Sequence, residues 1–217
     1  MFVTQNDISK AIIRSQHCQR NWDLSKEIPA EDMELFETAV SQCPSKQNIA
    51  HYRVHMITNR EIIESIHQNT DGFTYNYYPK QSTTNSQVLA NLLIAFEAIP
   101  LVDKLRDYKR NDQVLDLAKQ NEVNENLKLM DRDANMAVGI AAGYVNVIAS
   151  ILGYSTGCCA CFDGNVISKI IGGTEPVILL MGVGFKNPEV NRRVHHMNPE
   201  FMFPALKKQP ILVNRIK

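Results

Sequence analysis

Three side chains with binding chemistry fall within four residues near the start of the chain: His17, Cys18 and Arg20. An imidazole, a small polar thiol and a guanidinium just past a helix can grip a phosphate and a carbonyl together, the guanidinium through its fork of N–H donors. Trp22 and Asp23 close that segment, and about one helix further on Pro44-Ser45-Lys46-Gln47-Asn48 forms a polar loop with a Pro start and an Asn end. Taken alone, the first segment reads as a solvated helix end and the second as an ordinary capped turn. Between Lys186 and Lys217 there are seven Lys/Arg, among them Arg192 and Arg193, against Glu189 and Glu200. Such an excess suits a bound anion or a solvated basic tail. Cys158, Cys159 and Cys161 are the remaining chemical cluster. CCxC is not a zinc spacing and no adjacent His completes four ligands, although His195 or His196 could approach in space; buried small hydrophobes are the plainer role.

The elements that must position these residues follow from periodicity and punctuation. Thr4 with Asp7 caps a helix with Ile8, Ala11 and Ile12 at helical spacing, which delivers residues 17–20. Pro29 opens a second helix with Met33, Phe36, Val40 and Cys43 as its buried stripe, and Pro44 ends it. Tyr52, Val54 and Met56 alternate with Arg53 and His55 as a half-buried strand, followed by a short helix from Asn59 to His67. Thr70 to Ser86 is rich in Thr, Asn, Tyr and Gln and reads as a surface excursion able to cover a site. Gln87 to Phe96 reads as a buried strand whose cover is limited by Asn91 and Glu97. A polar helix from Asp103 to Gln120 leads into a long one, Glu125 to Leu152, capped at Gly153. A Cys-rich loop, a helix at 165–171, an apolar strand at 177–185 and a last strand at 210–216 complete the chain. Helices and strands mix without a regular βαβ beat, which indicates an α+β layered domain.

At 217 residues, 44% hydrophobic and 21% charged, the chain can bury roughly 70 to 75% of its unfolded surface around one core, so residues 1–217 form a single domain. Lys+Arg and Asp+Glu both number 23, and zero net charge gives no reason to expect nucleic acid or a membrane surface as partner. MFVTQNDISK lacks a basic segment followed by an apolar one, which implies a cytoplasmic protein. Five cysteines without framework spacing point to reduced thiols. Ala134 to Phe162 carries no charge, but polar Asn135, Asn146 and Ser150 interrupt it and acidic residues flank it, which favours a buried interface helix over a membrane span. There is no Gly-x-Gly-x-x-Gly or P-loop.

The order and spacing of these segments resemble the nitroreductase family of FMN-dependent oxidoreductases. The family's first motif runs Arg/His, Ser, any, Lys/Arg, any, Phe, Asp, and here reads His17-Cys18-Gln19-Arg20-Asn21-Trp22-Asp23, with Cys18 for the usual Ser and Gln16 for a frequent Arg. Its second motif, Pro-Ser-x-x-Asn, is matched by Pro44, Ser45 and Asn48. The resemblance implies a nitroreductase-like fold with a central, mainly antiparallel sheet flanked by helices, in an intertwined homodimer whose C-terminal segment reaches the partner. It implies that Arg20 meets the flavin N1/O2 edge, where a fixed cation favours the reduced, anionic ring. Pro44, Ser45 and Asn48 would come from the partner subunit to the ribityl chain and ring. Arg192 and Arg193 would hold the phosphate, and Asn85 the pyrimidine edge. A backbone N–H near Cys159, Ala160 and Cys161, where the family often has Glu-Gly, would meet N5. Ala137 stands where a Gln is usual.

The implied activity is ping-pong hydride transfer from NADH or NADPH through flavin N5 to a small-molecule acceptor of nitroaromatic or quinone type, under loop aromatics such as Phe73, Tyr75 or Tyr77, with no obligatory protein acid or base. Departures at Gln16, Cys18, Ala137 and Cys161 leave a non-catalytic flavin-binding protein as the alternative, and a thiol or zinc protein as a lesser one.

Overall fold

The computed structural model describes residues 4–71, 84–99, 120–197, 199–205 and 207–216. The expected aromatics Phe73, Tyr75 and Tyr77 and the helix from Asp103 lie outside these residues.

Helix α1 (Gln5–Ser15) begins with the expected capping box: the Asp7 amide donates to Thr4 Oγ1, while Asp7 accepts from the Thr4 amide. Helix α2 (Ala30–Ser41) follows Pro29 and buries Phe36, Ala39 and Val40. A single 3-10 turn, Lys46–Asn48, carries the second motif and leads into strand β1 (Tyr52–Ile57). Helix α3 (Arg60–Gln68) is capped by the Asn59 side chain, which accepts from the Ile62 amide. A 3-10 turn at Ser86–Val88 precedes strand β2 (Leu92–Ala98). Then come helix α4 (Gln120–Leu152), strand β3 (Ser155–Cys159), helix α5 (Gly164–Ile170) and strand β4 (Val177–Gly184).

All four strands pair antiparallel in the order β1-β2-β4-β3. Period-two alternation sends Leu92, Ile94 and Phe96 to one face, where they meet Phe36 and Val40 of α2 and Val138, Ala141, Val145 and Ala149 of α4. Leu93, Ala95 and Leu180 face the other way, against Ile63 and Ile66 of α3 and Ile167 of α5. Helices therefore cover both faces of the sheet, as an α+β layered domain requires.

Residues 128–152 of α4 are long and apolar enough to cross a membrane, yet Ala134, Val138, Ala141, Val145 and Ala149 are buried within the fold. This helix is a core element that ends at Gly153, whose φ of 92° suits a residue without Cβ.

Several elements differ from expectation. The Cys-rich segment is the edge strand β3, not a loop; its small residues lie beside the glycines of β4, with Gly157 opposite Gly182. Residues 87–91 turn before the strand starts at Leu92, because the 86–88 turn rests directly on the sheet: a Cβ on Gly182 would lie 2.1 Å from the Gln87 carbonyl oxygen. Glu97 does not interrupt the strand's cover. It is 1% exposed and accepts from the Thr174 and Glu175 amides at 2.7 and 2.8 Å and contacts His55 Nε2 at 2.5 Å, so every charge-bearing oxygen is matched. Residues 210–216 form no strand. They run as an irregular arm with Leu212 84% and Ile216 96% exposed, paired with no strand among the described residues. On α1 only Ala11 is buried, and Ile12 and Ile13 are 53% and 60% exposed.

Candidate flavin-binding site

The segment 17–23 is held in place by backbone and amide hydrogen bonds. The Gln19 amide donates to the Thr156 carbonyl at 2.8 Å, and the buried Gln19 Oε1 accepts from the amides of Arg20 and Asn21 at 2.9 and 3.1 Å. Buried Asn21 donates its Nδ2 to the carbonyls of Asn191 and Val194, both at 2.8 Å. Trp22 donates Nε1 to the Ser86 carbonyl at 2.9 Å. These bonds fix the chain on both sides of Arg20 and pull residues 191–194 against it.

Consequently the first motif and the C-terminal basic pair converge, although about 170 positions separate them. Arg192 approaches the Cys18 carbonyl through Nη1 and His17 Nδ1 through Nη2, each at 3.4 Å. Arg193 donates Nη1 to the Phe203 carbonyl at 3.1 Å. Arg20 lies over the Phe203 ring, 4.7 Å from its centroid. Burial, and to a smaller degree the neighbouring Arg192 cation, pull the Arg20 pKa below the usual guanidinium value. Among the described residues no carboxylate pairs with Arg20, Arg192 or Arg193. Three cations drawn together without an acid form a cradle for an anion.

The other end of β3 carries a second group. The Asp71 amide donates to the Cys161 carbonyl at 2.7 Å, and the Asp71 carbonyl accepts from Asn85 Nδ2 at 2.7 Å, so buried Asn85 and the 159–161 segment meet at one residue. Cys159 is buried, while Ala160 and Cys161 are exposed. From Thr156, beside the cationic cradle, to Ala160 the strand spans about 13 Å. Desolvation, with a smaller contribution from neighbouring thiols, pushes the thiols of Cys158 and Cys159 up to about 12 and about 11, so both are protonated at neutral pH. Among the described residues no group of three or more His, Cys, Asp or Glu is able to hold a metal ion.

Pro44, Ser45 and Asn48 lie elsewhere. Ser45 Oγ donates to the Ile49 carbonyl at 2.8 Å, and Gln47 and Asn48 adopt left-handed backbone with φ of 57° and 54°, a conformation that Asn tolerates better than most residues. Lys46 ties the loop to the buried carboxylate of Asp133 on α4, Nζ to Oδ2 at 2.6 Å. The first motif is moored near the opposite end of that helix: Asn146 Nδ2 donates to the Ser15 carbonyl and Arg14 Nη2 to the Ser150 carbonyl. From Asp133 to Asn146 a helix advances about 20 Å. Within one chain the two motifs stand apart. A cavity of about 540 Å³ opens beside the second, lined by Cys43, Ser45, Asn48, His51 and Tyr52 among others.

Gln19, Asn21 and Phe203 organise the first cluster and carried no motif signal, since the first two occupy variable positions of the pattern. An Asn whose flanks are both functional is the one hint that sequence offered.

The model of the nitroreductase family matches residues 13–185, and the chain belongs to that family. The fold is shared with ydfN from Bacillus subtilis, described as a nitroreductase, at a TM-score of 0.68 and 15% identity, covering 98% of this chain and 100% of that one. It is shared with a protein from Staphylococcus epidermidis described as an NAD(P)H:FMN oxidoreductase at 0.61 and 18% identity, covering 88% and 93%. A protein from Exiguobacterium sibiricum described as a nitroreductase, in complex with FMN, matches at 0.59 and 16% identity, covering 88% and 94%. No curated protein matches the chain. The residues present here fit FMN: unpaired by any described carboxylate, the guanidiniums at the first motif suit a phosphate and an electron-rich ring edge.

Proposed function

We propose that this protein is an FMN-dependent oxidoreductase that works as a homodimer, taking hydride from NADH or NADPH and delivering it in a second half-reaction to a nitroaromatic or quinone-type acceptor. The carrying observation is the cluster of Arg20, Arg192 and Arg193 beside the first motif, which no carboxylate among the described residues pairs with. FMN would supply hydride acceptance and donation at N5. Arg20 would bind the ring edge where negative charge gathers, and Arg192 and Arg193 the phosphate, while a backbone N–H at 159–161 would orient the ring. Because both substrates stack on one ring face, they must take turns.

Two features support the dimer. The second motif stands about 20 Å along α4 from the first, so joining them around one ligand calls for a second copy. Large apolar side chains also stand exposed: Ile12 and Ile13 on α1, and on α4 Met136, Ile140 and Tyr144 at four-residue spacing, Met136 by 58%. The arm at 207–216, with Ile211, Leu212 and Val213 exposed, suits the expected reach of the C-terminal segment across the partner. Membership of the family supports a soluble setting, which we take to be the cytoplasm.

The visible spectrum of the purified protein tests the reading. A yellow preparation, or uptake of added FMN, followed by bleaching with NADH or NADPH in the absence of oxygen, is expected. FMN uptake without bleaching selects the non-catalytic alternative, and no uptake at all overturns the proposal.

A further inference from the structure

Residues 191–197 and 199–203 fold back on one another. The His195 amide donates to the Phe201 carbonyl at 2.9 Å, the Phe203 amide to the Arg193 carbonyl at 2.8 Å, and Val194 bridges Met202. The fold-back ends on Phe203, 8% exposed, whose ring packs edge-on against Phe201 at 5.1 Å and beside His195 at 5.9 Å. Phe203 therefore has little freedom, and it meets two guanidiniums with two different parts of itself. Its carbonyl accepts from Arg193 at 3.1 Å, and its ring face carries Arg20 at 4.7 Å. Arg20 is half-buried, close to the like charge of Arg192, and has no carboxylate among the described residues. A desolvated cation in that setting needs an attractive surface, and the negative face of an aromatic ring provides one.

We propose that Phe203 is a positioning residue for the flavin site, its ring fixing the Arg20 guanidinium against the pyrimidine edge while its backbone fixes Arg193 for the phosphate. This role rests on the reading given under Proposed function. Side-chain replacement removes the ring and leaves the carbonyl, which separates the two functions. Only the ring-edge contact depends on the aromatic face.

The test compares Phe203→Leu and Phe203→Tyr with the wild-type protein, titrating flavin-free dimer with FMN and with riboflavin, which lacks the phosphate. Phe203→Leu is expected to weaken FMN and riboflavin by the same factor, about fivefold, and to lower the flavin reduction potential. Phe203→Tyr, which keeps the aromatic face, is expected to restore both. In the flavin-free protein, ring-current shifts of the Arg20 side-chain protons should be present in wild type and Phe203→Tyr and lost in Phe203→Leu. Unchanged affinity and potential in Phe203→Leu overturn the role, as does a loss confined to FMN, which would place the effect at the phosphate. Equal impairment in Phe203→Tyr with normal thermal stability reduces the ring to packing and also overturns it. A wild-type protein that binds neither flavin, yet shows the ring-current shifts, overturns the flavin reading itself while leaving the Arg20–Phe203 stack intact.

Discussion

The two motifs are built to different standards of rigidity. Around Arg20 the chain is pinned by Gln19, Asn21 and Trp22, each bonded to a distant segment, so the site is shaped before any ligand arrives. The 44–48 loop is held by the ion pair of Lys46 to α4 and otherwise by bonds within its own neighbourhood, from Ser45 Oγ, the Asn48 and Ile49 amides and the His51 ring, with two residues in left-handed backbone. The first region is preorganised; in the proposed dimer the second would be an adaptable edge of the same site, completed by a neighbouring copy. On that reading, preorganisation falls where charge must be held and looseness where two chains would meet.

The largest effect is expected from denying the second chain. Replacing Met136 and Ile140 together by Asp puts two charges on the exposed face of α4 without touching its buried side. The variant should sediment as a folded monomer and lose bound FMN completely. A monomer that keeps its flavin would erase the contrast between the two motifs. Next in size is Arg20→Ala, which removes a charged partner worth about 10- to 100-fold in FMN affinity and should slow flavin reduction, as followed by rapid mixing. Unaltered affinity and turnover would sink the assigned role.

Asp133→Asn should have a smaller effect of about three- to tenfold on FMN affinity, because Lys46, the exposed partner, can turn to solvent once its buried counter-ion is gone. The deficit should appear as faster FMN release, since a looser loop opens more often. An effect as large as that of Arg20→Ala would show the second motif to be as rigidly required as the first.

The smallest effect concerns acid. His67 on α3 packs edge-on against His196 at 4.8 Å, and His195 lies 4.8 Å from His196 on the fold-back. Burial, aided by the other imidazoles, lowers the His196 pKa to about 4, and burial also lowers those of His67 and His195, with Arg60 adding to the effect at His67 and Glu64 opposing it. A histidine held neutral in the folded state binds its proton more readily unfolded, so stability is full above about pH 6.5 and declines as pH falls toward about 4. Glu97 and Asp133 have lowered pKa values in the folded state; their contribution is present above the ordinary carboxylate range and is lost below about pH 4. Thermal unfolding of His196→Phe between pH 7 and 4.5 should therefore show a shallower decline than wild type. Parallel curves would dissociate the cluster from the acid response.

Sequence revealed those parts of the fold whose signals are local. The Thr4–Asp7 box, the short helix that follows Asn59, the buried stripe of α2 and the alternation of β1 each appear where expected. Strand β3 was hidden because Ser155-Thr156-Gly157-Cys158-Cys159 has few branched or aromatic residues and owes its form to pairing with β4, a tertiary effect. Ile8 and Ile12 on α1 carried the periodicity of a buried face, yet 41% and 53% of their surface is exposed in the single chain; periodicity reports that a face is apolar, not which surface covers it. In the site, the charged residues were visible by type and order, and the neutral ones that hold them were not. Gln19, Asn21 and Phe203 act through bonds to segments 137 to 183 positions away, which no local pattern encodes.

The span of α4 between the two motifs has a genetic corollary. In the proposed twofold particle, a lesion at Arg20 in one chain and a lesion at Asn48 in the other would collect in the same groove, and the opposite groove would inherit neither. Mixing two inactive mutants would then regenerate one sound catalytic compartment in every hybrid, a form of complementation that a one-chain pocket could never display.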